Sequence, residues 1–90
     1  MEIVIDLDEL RALHNSLSAE SELLTSGNGK LKSLLSEMER IWSGDTKFPR
    51  YRENIEAIIG GNTKLVGNLD KMANIIKKFA DSMAVIQGEQ

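Results

Sequence analysis

Apolar residues recur every seven positions along two long stretches of this chain. In the first, Leu10, Leu17, Leu24, Leu31 and Met38 keep one phase, and Leu13, Glu20, Gly27, Leu34 and Ile41 follow three residues on. In the second, Phe48, Ile55, Asn62, Leu69, Ile76 and Met83 form one series, and Tyr51, Ile58, Leu65, Met72, Phe79 and Ile86 the other; of these only Asn62 is polar. Residues three, four and seven apart share one face of a helix, so each pair of series predicts one amphipathic helix with a single buried face. The helices are expected over about residues 7–42 and about residues 47–86. At ~1.5 Å per residue the first would run roughly 50 Å.

The ends of both helices carry their own signals. Met1 to Ile5 reads as extended, from its β-branched residues. Asp6 then suits an N-cap, with Glu9 three residues later, and Asp8 and Glu9 favour the positive end of the helix dipole. Between the helices lies Trp42-Ser43-Gly44-Asp45-Thr46, which holds the only tryptophan. Gly44 can adopt left-handed backbone angles past a helix end, and Asp45 or Thr46 can cap the next helix. Pro49 falls in that helix's first turn, where a missing N–H costs little. Residues 43–46 are therefore the expected turn. Two weak points interrupt the helices, Gly27 to Gly29 and Gly60-Gly61, at about 1 kcal/mol per glycine relative to alanine. The leucine phase survives the first of them, which predicts a continuous or kinked helix rather than a loop. In an antiparallel hairpin the two weak points stand level, and they suit either close helix approach or a soft waist. Residues 87–90 are expected to fray.

The apolar stripes are wider than one seam needs. Ile59, Val66, Ala73, Ala80 and Ile75 broaden the second, and Leu23, Leu35 and Trp42 the first. A buried Leu or Ile contributes about 1.5–3 kcal/mol, against about 1–2 kcal/mol of backbone entropy per ordered residue. A lone hairpin would leave part of this stripe wet and be marginal. The expectation is an all-α antiparallel helix-turn-helix hairpin, one domain over residues 1–90, dimerising into a four-helix bundle. Candidate dimer or partner interface residues are Leu10, Leu17, Leu24, Leu31, Met38, Ile58, Ile59, Leu65, Val66, Met72 and Phe79.

Composition narrows the chemistry. The 90 residues include no cysteine and one histidine, His14, so neither a thiolate nor a multi-histidine metal site can be built. The acidic group Asp6, Asp8 and Glu9 has spacing suited to capping. No phosphate loop and no nucleophile–base arrangement is present, and no catalytic, cofactor or metal site is expected. A net charge of −3 argues against sequence-independent nucleic-acid binding. The tip does gather Arg40, Lys47, Arg50 and Arg52 beside Trp42, Phe48 and Tyr51, an arrangement that can bind single strands but is more simply a solvated tip diluted by Asp45 and Glu53. Met38, Met72 and Met83 read as core fillers. No window suits membrane insertion, and the N-terminus has no basic flank, so no cleaved leader is expected.

Two amphipathic helices of similar length joined at Trp42-Ser43-Gly44 resemble the small WXG-motif (Esx-like) proteins of type VII secretion. Ile5-Asp6-Leu7-Asp8-Glu9-Leu10 is similar to the family's start, and Phe48 falls where the family places an aromatic. The resemblance covers the whole chain. It implies a homodimeric or heterodimeric four-helix bundle, exported folded by a membrane-bound ATPase without a cleaved leader. The partner would be another WXG-like protein or the helical N-terminal domain of a larger secreted toxin. It also implies a two-part export signal, in which the Trp42-Ser43-Gly44 turn lies near a C-terminal Tyr-x-x-x-Asp/Glu of the partner. No tyrosine follows Tyr51 here, so the tail half of the signal is expected from another chain. The resemblance thus gives Trp42, Ser43 and Gly44 the role of export and recognition turn.

Overall fold

The computed structural model describes residues 5–42, 44 and 46–88. Two helices form an antiparallel hairpin, α1 (Leu7–Ile41) and α2 (Phe48–Ile86), and no strand occurs among the described residues. The hairpin is a rod of 66 × 22 × 14 Å. Its thinnest dimension is little more than the ~10–12 Å of one helix with its side chains, so the molecule is one layer deep.

Local chemistry sets the helix ends. Asp6 is extended, and its carboxylate accepts the Glu9 backbone N–H at 3.1 Å, as the capping pattern predicts. α1 ends at Trp42, whose N–H donates to the Met38 carbonyl at 2.8 Å. Gly44 has φ +89°, the left-handed turn residue expected there. The start of α2 differs from expectation. Its N-cap is Lys47, in a helical conformation and with no side-chain cap bond, so Thr46 does not cap it. Pro49 occupies the first turn, and Arg50 N–H closes back on the Lys47 carbonyl at 3.2 Å. The expectations for Met1 to Val4, Ser43, Asp45, Glu89 and Gln90 lie outside the described residues.

Both helices run unbroken through their glycines. A Cβ built on Gly27, Gly29, Gly60 or Gly61 would meet no atom within 4 Å. Close approach between the two helices therefore does not explain these glycines.

The seam follows one expected series on each helix and departs from the other. Leu10, Leu17, Leu24, Leu31 and Met38 are half-buried, as are Ile55, Asn62, Leu69, Ile76 and Met83, with Phe48 buried. Their partners in the seam lie three residues before them, not three after. On α1 these are Leu7, His14, Ser21, Asn28 and Leu35, and on α2 Arg52, Ile59, Val66, Ala73 and Ala80, all buried or half-buried. The series expected to complete the seam is exposed: Leu13, Glu20, Leu34 and Ile41 on α1, and Tyr51, Ile58, Leu65, Met72, Phe79 and Ile86 on α2. The reason is polar satisfaction and size. Ala80 and Ala84 let α2 close on Leu7 at the open end of the hairpin. In the middle, Asn62 Nδ2 donates to Asn28 Oδ1 at 3.0 Å, and Asn28 Nδ2 donates to the Ile59 carbonyl at 3.3 Å and to Thr63 Oγ1 at 3.4 Å. Ser21 Oγ donates to Asp70 Oδ1 at 2.7 Å. Rotating the helices onto the greasier series would strand these groups and press Glu20 into the seam.

Candidate interaction surface and turn

The cross-helix pairs Ser21–Asp70, Asn28–Thr63 and Glu39–Arg52 fix the register of the hairpin. They also identify its polar side. Residues of both helices line shallow hollows there: Arg11, His14, Lys77 and Asp81 in one, Thr25, Lys32 and Thr63 in another. In antiparallel helices, residues displaced the same way along both chains from the seam fall on the same side of the pair. Those one residue beyond the Leu10 and Ile55 series make the polar side, and those three beyond make the opposite side.

That opposite side is apolar along its length except at Glu20. Level with one another stand Ile41 and Tyr51, Leu34 and Ile58, Gly27 and Leu65, Glu20 and Met72, and Leu13 and Phe79. The large residues among them are 46–63% exposed, from Leu65 at 46% to Ile41 at 63%. Leu23 and Ile75 extend the apolar surface at its edges. A stripe of this kind on a small hairpin is unlike the scattered exposed leucines of an ordinary surface, and is the candidate interaction face.

The expected interface residues divide accordingly. Ile58, Leu65, Met72 and Phe79 lie on the open face. Leu10, Leu17, Leu24, Leu31 and Met38 sit in the seam, half-buried, and border that face. Ile59 and Val66 face the other helix from the polar margin of the seam.

At the tip, Trp42 is 41% exposed, and its indole lies against Tyr51 with ring centroids 5.9 Å apart and planes tilted by 41°. This geometry holds one side of the indole while presenting the other to solvent. Phe48 is buried beneath the guanidinium of Arg52, which lies 5.4 Å from its ring centroid. Arg52 is also ion-paired with Glu39, more distantly with Glu56 at 3.9 Å, and Arg40 pairs with Glu37 at 2.8 Å. Acidic partners within the hairpin thus meet the charges of Arg40 and Arg52, which thins the positive patch. Among the described residues no group of three or more His, Asp or Glu side chains is arranged to hold a metal ion, and no helix is long and apolar enough to cross a membrane. Ser21, Asn28 and Asp70 do not stand out in the sequence. The one signal it offers is phase: Ser21 and Asn28 fall in step with Leu7, His14 and Leu35.

Fold and surface define a class, a single-layer helical hairpin with one polar and one apolar side. Comparisons with known protein families, with curated proteins and with solved structures found no match for the chain.

Proposed function

We propose that this chain is a non-catalytic WXG-type (Esx-like) type VII secretion substrate or co-secreted partner. It works by pairing its apolar side with a second helical hairpin, giving a four-helix bundle, and by presenting the Trp42-Ser43-Gly44 turn to the export machinery, including its ATPase. The observation that carries this reading is the apolar face of Ile58, Leu65, Met72 and Phe79, exposed from end to end, on a hairpin whose tip displays Trp42. The protein would leave the cytoplasm folded. It would bind no nucleic acid and insert into no membrane.

Trp42→Ala is expected to leave helix content and pairing intact while abolishing export from a host with a type VII system. Undiminished export of that variant would contradict the role given to the turn. A second reading rests on the same open apolar face of Ile58, Leu65, Met72 and Phe79. The chain would then act as a cytoplasmic adaptor or targeting chaperone on the helical domain of a larger exported toxin. Co-expression with that toxin distinguishes the two: an adaptor raises toxin export and stays behind, whereas a co-substrate appears outside with it.

A further inference from the structure

Glu20 is the one charged residue in the level rows of the apolar face. It stands beside Met72, two helical turns from Gly27, and is exposed in the hairpin. It forms no ion pair with any described residue. From this placement we infer that Glu20 selects the partner: the pairing surface is built for a different hairpin that carries a lysine or arginine at this level, and it disfavours a tight pair of identical chains. The inference rests on the pairing role proposed above. Covering the face dehydrates the Glu20 carboxylate, and a dehydrated charge without a counter-charge costs several kcal/mol. A second copy brings no cation on its own level rows and adds a second carboxylate. A partner with a cation there converts the penalty into a charge-assisted pair, so like pairing is penalised and unlike pairing is rewarded. Gly27 adds a shape requirement. Its Cβ position is open, with no atom within 4 Å, so a bulky apolar side chain of the partner has room there.

The test is sedimentation equilibrium of the purified wild-type chain, E20L and the polar-side control K32L, with helix content followed by circular dichroism. Glu20 is exposed, so the hairpin itself should tolerate the change. Wild-type and K32L chains are expected to self-associate only weakly, and E20L at least roughly a hundredfold more tightly, given several kcal/mol for each dehydrated carboxylate. A tight wild-type dimer that E20L fails to strengthen would overturn the selection role while leaving the pairing face standing. E20L would instead weaken such a dimer if the second copy's Lys30, at the outer margin of the face, met Glu20, and that outcome also overturns selection. Equal tightening by K32L would show mere added greasiness and overturn it too. If no variant associates at any concentration while all remain helical, the pairing face itself is refuted.

Discussion

Single positions carry distinct kinds of constraint in this hairpin. Gly44, at φ +89° with open space around its Cβ position, is held by backbone conformation alone. Gly44→Ala should lower unfolding stability by about 1 kcal/mol, the cost of a left-handed L-residue, in a urea titration. An unchanged midpoint would mean that the turn relaxes freely. Gly29 and Gly60 are the opposite case, helical and unobstructed. Gly29→Ala and Gly60→Ala should each raise stability by roughly 0.5–1 kcal/mol. A loss at either site would show that the glycine serves a contact made outside the hairpin.

At the scale of the helix, the heptad pattern alone makes the element type, the continuity through the glycines and the position of the corner legible. It does not reveal which two of three in-phase series form the internal seam. Leu13, Leu34, Tyr51, Ile58 and Phe79 are the more hydrophobic choice, and apolar counting selects them. The molecule instead buries Ser21, Asn28, Ala73 and Ala80, because a polar group that finds a partner across the seam is satisfied and a small one lets the helices close. A hydrogen bond such as Ser21 to Asp70, between residues far apart in the chain, leaves no local trace in a sequence. Lys47, rather than Thr46, could not be foreseen as the cap of α2 either, because it makes none of the side-chain bonds by which a cap is recognised. The Asn28–Asn62 pair should behave as a register lock. Asn28→Ala leaves the Asn62 amide without its acceptor and should cost about 1–3 kcal/mol by thermal or urea unfolding. Replacing both by leucine should restore or exceed wild-type stability while relaxing the register, visible as multiple distances between spin labels on the two helices. A double variant as unstable as Asn28→Ala would count against the lock.

At the scale of the whole molecule, shape and hydrophobicity are in tension. A rod 14 Å thick has a seam but no second layer, and its buried apolar side chains are few: Leu7, Phe48 and three alanines among the described residues. Leucine, isoleucine and phenylalanine on the open side contribute little to stability until something covers them. Folding and association should therefore be coupled, with a melting temperature that rises with protein concentration or on adding a partner hairpin. The most direct check is the mass in solution, by sedimentation equilibrium from micromolar to millimolar concentration, of the wild-type chain beside Leu65→Glu. The wild-type mass should climb above that of the monomer as concentration rises, weakly if Glu20 opposes self-pairing, and Leu65→Glu should remain helical and monomeric throughout. A wild-type chain and an E20L variant that both stay stable, helical monomers up to millimolar concentration would show that the apolar side is not a pairing surface.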